Sequence, residues 1–210
     1  MEKQSEPIVE IALNYTRDMI WDLVERFEVF FKSGGMYLRE DNRVGVKIER
    51  VVDSPWLYVA EDETRFCPLY HKVFFPALGI IHSRCLNCWK VVTNPRTVLE
   101  LVRCYNIQKR IGTMAKCGIE IRDYVPANYG CYWYNDTLGE GLDKKAEVKE
   151  ELEKEGIDIP VILKRGCTEF EQKMPNPNTW GMVSGQEEYE DFLQKTLVLE
   201  TDPTLDIPWG

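Results

Sequence analysis

The chain has 210 residues, 44% of them apolar and 29% charged, and a net charge of −9. That length can bury a real core in one large domain or two small ones, and the composition is ordinary for a globular protein. The acidic balance argues against indiscriminate binding to nucleic acid or anionic membranes, and no apolar run approaches the roughly 18 residues that span a bilayer.

The start, Met1-Glu2-Lys3-Gln4-Ser5-Glu6, lacks the apolar stretch of a secretory signal, so a cytoplasmic location is expected. Seven cysteines is an odd number. Without a secretion signal they read as reduced thiols, some of them metal ligands, rather than a disulfide framework. The charge is unevenly spread. Arg84 to Arg122 holds eight basic residues against Glu100 and Glu120, whereas Glu169 to the end holds nine acids against Lys173 and Lys195. A basic centre of this kind suits a phosphate-bearing partner, and the plainer alternative is that the charges solvate helix faces.

Taken in chain order, residues 5–33 read as an amphipathic helix, with Ile8, Ile11, Ile20, Leu23, Val24, Phe27 and Phe31 at helical spacing and Gly34-Gly35 as its stop. Val44, Val46 and Ile48 alternate with polar residues as a strand, and Trp56-Leu57-Tyr58-Val59 gives a second. Phe74-Phe75-Pro76 reads as loop, and Trp89-Lys90-Val91-Val92 as a strand. Asn94-Pro95 then opens a helix with Asn as N-cap and Pro at the first position. Val98, Leu101, Val102 and Tyr105 form its apolar stripe, and Gly112 stops it.

Cys117 to Arg122 alternates as a strand, 123–129 connects, and Gly130 to Tyr134 is an aromatic strand. Asp136 or Thr137 can cap a second helix with Leu138, Leu142, Ala146 and Leu152 inward, ended by Gly156. Val161-Ile162-Leu163 is the last strand. The order β-α-β-β-α-β is that of a ferredoxin-like core, here spanning about 88–166 within an α+β protein. The expected segments are an N-terminal helix-and-strand region at 1–66, a metal-binding loop at 67–88, the core at 89–171 and a Pro/Asn-rich acidic tail at 172–210. That tail carries one short helix near Glu187–Leu193.

The densest chemical signal is Cys85-Leu86-Asn87-Cys88, a Cys-x-x-Cys knuckle with Cys67, His71 and His82 just upstream. Thiolate and imidazole donors close a tetrahedron around zinc, so Cys67, His71, Cys85 and Cys88 are the expected ligands of a structural site that pins the loop. His82 in place of His71, or Cys104 completing an all-cysteine set, are the variants. Buried free cysteines are the alternative to any metal. An iron–sulfur cluster lacks the ferredoxin-type Cys run.

Strand alternation sends Ile119 and Ile121 to one face and Glu120 and Arg122 to the other, where Lys90 and Lys164 can join them with Tyr132 and Tyr134, or with Trp133, depending on register. Such a face could stack bases and neutralise phosphates of a single-stranded nucleic acid. The aromatic strand does not fit the RNA-recognition signature, and packing of the N-terminal region on the same face is the competing expectation. A third reading is a small enzyme with a charged pocket at Glu120, Arg122 and Lys164, extended by Arg165, Glu169 and Glu171. Cys167 follows the last strand as a thiol with no identified base. The expected function is therefore a zinc-stabilised binding module for nucleic acid or another phosphate-bearing partner, with the enzyme and a protein–protein adaptor as alternatives.

Overall fold

The computed structural model describes residues 24–41, 43–47, 56–60, 67 and 69–200. In chain order the elements are α1 (Glu28–Lys32), β1 (Met36–Leu38), β2 (Val44–Lys47), β3 (Trp56–Val59), a π-helical turn (Leu69–Phe74) running into α2 (Phe75–Leu78), α3 (Ser83–Leu86), β4 (Trp89–Thr93), α4 (Val98–Ile111), β5 (Ala115–Ile119), β6 (Tyr129–Asn135), α5 (Leu138–Lys154), β7 (Val161–Arg165), α6 (Thr168–Glu171), a 3-10 turn (Pro177–Thr179), α7 (Gln186–Thr196) and β8 (Leu197–Glu200). The protein is mixed α+β with two sheets and divides into two compact units. One gathers residues 1–53, 65–83 and 172–210; the other gathers 54–64 and 84–171. Among the described residues no helix is long and apolar enough to cross a membrane.

In the first unit, β1 and β2 pair antiparallel and β2 pairs parallel with β8, placing Val44 opposite Leu197 and Val46 opposite Leu199. Val44 and Val46 are fully buried with Phe27, Met36, Val73 and Phe74. Helix α7 presents Tyr189, Phe192 and Leu193 to the same core, an i, i+3, i+4 stripe. The described part of the acidic segment, 172–200, thus holds a helix and a sheet strand despite its composition. The expected short helix runs from Gln186 to Thr196, and Leu197-Val198-Leu199 follows it as a sheet strand. Of the helix expected over 5–33, residues 5–23 lie outside the described residues, while Glu28–Lys32 is helical. Phe74-Phe75-Pro76, expected as loop, is helical, because Pro76 sits in a first turn that needs no donor from it.

In the second unit the strand order is β3-β5-β6-β4-β7, and every neighbouring pair is antiparallel. Helices α4 and α5 bury one face, where Cys104, Ile107, Val148 and Leu152 meet Val91, Ala115, Cys117, Cys131 and Trp133. Gly141 permits the close approach of α5, since a Cβ there would lie 2.8 Å from Leu163 Cδ1 and 3.3 Å from Trp89 Cβ. A capping box starts α5, with Thr137 Oγ1 accepting from Glu140 N and the Glu140 carboxylate accepting from Thr137 N, both at 3.2 Å.

Several local expectations are corrected. Thr97, not Asn94, caps α4, because its hydroxyl accepts from Glu100 N at 3.1 Å while the Asn94 amide donates to Tyr129 O at 3.0 Å. The fully buried residues of α4 are Cys104, Ile107 and Gln108; of the expected stripe Leu101 and Tyr105 pack against that core, whereas Val98 and Val102 are 59% and 49% exposed. Strand β5 ends at Ile119, and Ile119 and Ile121 are exposed because they lie toward the hairpin end, beyond the helix-covered Cys117.

Candidate functional site

Register fixes the helix-free face of the second unit. Trp56 lies opposite Gly118 and Tyr58 opposite Lys116. Lys116 lies opposite Tyr132, which lies opposite Val92, while Lys90 lies between Tyr134 and Lys164. Because side chains alternate along each strand, all of these point to the side away from α4 and α5. Of the six residues nominated from sequence, Lys90, Tyr132, Tyr134 and Lys164 therefore share one side of the sheet with Trp56, Tyr58 and Lys116, while Glu120 and Arg122, just past the end of β5, reach that side through their hydrogen bonds to Tyr132.

At the centre is a closed polar network. Arg122 Nε donates to Glu120 Oε1 at 2.7 Å and its Nη2 donates to Glu120 Oε2, making a bidentate pair. The Tyr132 hydroxyl donates to Glu120 Oε2 at 3.0 Å and accepts from Arg122 Nη2 at 2.8 Å. Arg122 Nη1 reaches Glu169 Oε1 at 3.0 Å, and the Tyr124 hydroxyl donates to the same oxygen at 2.8 Å. The Glu120 side chain is fully buried. Burial alone would push its carboxyl up, but the hydrogen bonds and charge of Arg122 hold it below its ordinary value, so it is ionised at neutral pH. Burial pushes the Tyr132 and Tyr124 phenols up, and both are protonated donors.

Cations and rings interleave around this network. Lys116 Nζ lies 4.7 Å from the Trp56 ring centroid and 5.8 Å from that of Tyr132. The Arg122 guanidinium lies 5.9 Å from the rings of Trp56, Tyr124 and Tyr132. Trp56 meets Tyr132 edge-on, with centroids 5.6 Å apart. Gly130 makes room for the folded-over Tyr132 ring, since a Cβ there would come within 2.7 Å of it. Lys90, Tyr132 and Tyr134 are buried, whereas Trp56, Tyr58, Lys116, Arg122 and Tyr124 are half-buried, so the accessible part of the arrangement lies at the β3–β5 edge. Lys164 Nζ bonds Thr168 Oγ1 at 2.8 Å and Glu171 at 2.5 Å; burial lowers its pKa against the pull of Glu171.

Sequence reasoning did not single out Trp56, Tyr58, Lys116 or Tyr124. A signal existed for Lys116, because it stands two and four residues before Gly118 and Glu120 and alternation puts all three on one side.

The nominated metal ligands fall in both units: Cys67 and His71 in the first, Cys85 and Cys88 in the second. The knuckle is a turn in which Cys88 N donates to Cys85 O at 3.4 Å. His82, the variant ligand, stacks on Tyr70 with centroids 4.2 Å apart, and its Nε2 lies 3.8 Å from Glu190 Oε2. Ser83 N donates to the other oxygen of that carboxylate at 2.8 Å. Burial lowers the His82 pKa more than Glu190 raises it. Cys104 packs with Cys117 and Cys131 on the helix side of the sheet, opposite the face to which Cys88 contributes. Burial, with the neighbouring Cys104 and Cys117 thiols, pushes the Cys131 thiol well up and keeps it protonated.

Comparison with known proteins gives no match, whether to a family model, to a curated protein or to a solved structure.

Proposed function

We propose that the chain is a binding module whose helix-free face in the second unit takes single-stranded nucleic acid. The observation that carries this reading is Lys116 seated on Trp56 with Arg122 beside the same ring, at a half-buried sheet edge. Rings offer stacking to any base and the Lys116 ammonium meets a phosphate, a combination that is tolerant of sequence. The buried Glu120–Arg122–Tyr132 network beneath holds these side chains in place, so little ordering is needed when a ligand arrives.

The fold assigned to this unit is ferredoxin-like with an added edge strand. Its support is the order β5-β6-β4-β7, antiparallel throughout, with both long helices on one face. Zinc held through the Cys85–Cys88 knuckle remains part of the reading, supported by its turn geometry. The enzyme reading is weaker. Glu120 is ionised, buried and bidentate with Arg122, a structural pair rather than a proton donor poised near neutrality.

The test is salt-dependent binding of a single-stranded oligonucleotide. Lys116→Ala should weaken binding and flatten the slope of log affinity against log salt by about 0.7, the contribution of one phosphate contact. Trp56→Ala should weaken binding with no change in slope. Absent binding at low salt, or binding indifferent to both substitutions, overturns the proposal.

A further inference from the structure

Three of the seven cysteines meet in the helix-covered core of the second unit. Cys117 on β5 and Cys131 on β6 stand directly opposite one another, and Cys104 on α4 packs in the same cluster. All three are fully buried. The Cys131 thiol is in hydrogen-bond contact with those of Cys104 and Cys117. The ladder decides what kind of pair Cys117 and Cys131 make. Tyr134 N donates to Met114 O at 3.0 Å and Glu120 N donates to Asn128 O at 2.8 Å, so both of these opposed pairs are hydrogen-bonded ones. Hydrogen-bonded and non-hydrogen-bonded pairs alternate along an antiparallel ladder. Cys117 and Cys131 lie three steps from each, which makes theirs a non-hydrogen-bonded pair. At such a pair the Cα atoms are roughly 4.5 Å apart and the Cβ atoms about as close. A disulfide spans Cα separations of about 4.4–6.8 Å and Cβ separations of about 3.5–4.5 Å, so this position accepts one with little movement of either strand.

We propose that Cys117 and Cys131 are a disulfide site, paired across the strands by exchange with a small-molecule disulfide. One protein thiolate displaces a thiol from the reagent and forms a mixed disulfide. The second protein thiolate then attacks the first protein sulfur and releases the other reagent thiol. One S–S bond forms and one breaks. The two protein sulfurs give up two electrons to the reagent, and the two protons leave on the departing thiols. Burial sets when this happens. In the folded chain it keeps the Cys131 thiol protonated and inert, so pairing takes place while β5 and β6 are coming together. Once made, the bond lies beneath the helices and is sheltered from reduction. The loop it closes carries Glu120, Arg122 and Tyr124, so the link restrains the segment that builds the polar network of the sheet edge.

The experiment refolds the full chain from denaturant across a series of reduced-to-oxidised glutathione ratios. The remaining thiols are then alkylated in denaturant and the linked peptides mapped by mass spectrometry. The expected product joins the peptides of Cys117 and Cys131, two hydrogens lighter than their sum, with Cys104 alkylated. Its thermal midpoint should lie roughly 5–10 °C above that of the reduced chain. Cys104→Ala should leave the link in place. A link from Cys104 to either strand cysteine overturns the proposal. So does a refolded chain in which Cys117 and Cys131 are both alkylated at the most oxidising ratio. A linked chain with an unchanged or lowered midpoint would contradict the fit of the bond to the ladder. If Cys104→Ala does not fold, the peptide map of the unaltered chain decides alone.

Discussion

The Tyr132 hydroxyl lies between the two partners of a buried ion pair, donating to Glu120 at 3.0 Å and accepting from Arg122 at 2.8 Å. Tyr132→Phe deletes that bridge without changing ring packing. It leaves the Glu120 carboxylate one donor short and should destabilise the fold by about 1–3 kcal/mol. The shift in denaturation midpoint measures it, and an unchanged midpoint would mean that the hydroxyl is dispensable.

Glu120 should give stability a specific acid dependence. Its folded pKa lies below the ordinary 4.5, so its contribution is fully present above pH 4.5 and is lost as pH falls through the lower folded value. Glu120→Gln breaks the pair with Arg122 and should cost about 3 kcal/mol at neutral pH. The gap from the unaltered protein should close in acid. A gap that stays constant to low pH would contradict the assigned protonation state.

His82 acts in the same direction, in a higher pH window. Its folded pKa is below 6.5, chiefly through burial, so folding favours the neutral ring. Stability should be highest above pH 6.5 and should fall as pH drops below it, because the folded state resists the proton that the unfolded chain accepts. Melting temperatures across about pH 7.5 to 5.5 read this directly, and His82→Gln should flatten the profile. A slope that survives the substitution would assign it to another group.

Two glycines in the first turn of α5 should respond with opposite signs. A Cβ at Gly139 would meet nothing nearer than 3.9 Å, whereas one at Gly141 would press on Leu163 and Trp89. Gly139→Ala should therefore stabilise by up to about 1 kcal/mol through helix propensity. Gly141→Ala should destabilise by about 1–2 kcal/mol, the overpacking penalty exceeding that gain. Equal responses would show that α5 does not sit this close to β4 and β7.

Much of the second unit is legible in local chemistry. Thr137 with Glu140 announces the start of α5, and alternation separates Glu120 and Arg122 from Ile119 and Ile121, while the side on which Tyr132 and Tyr134 rather than Trp133 fall needed the pairing. Pairing between distant segments is less legible. Nothing local says that Leu197-Val198-Leu199 completes a sheet with Val44–Lys47, or that Trp56–Val59 extends the sheet of β5. Lys116 was overlooked because its partner, Trp56, belongs to a strand whose pairing with β5 was unforeseen. Thr97 outcompeted Asn94 as a cap because the Asn94 amide is engaged by the Tyr129 carbonyl, a tertiary contact.

The most direct test of the binding surface is photocrosslinking of a single-stranded oligonucleotide carrying a halogenated base, with the attachment sites mapped by mass spectrometry. Crosslinks at Trp56, Tyr58 or Tyr124 are the expected result. Crosslinks confined to the helix side of the sheet or to α7, or none at concentrations where binding is saturated, would contradict the account.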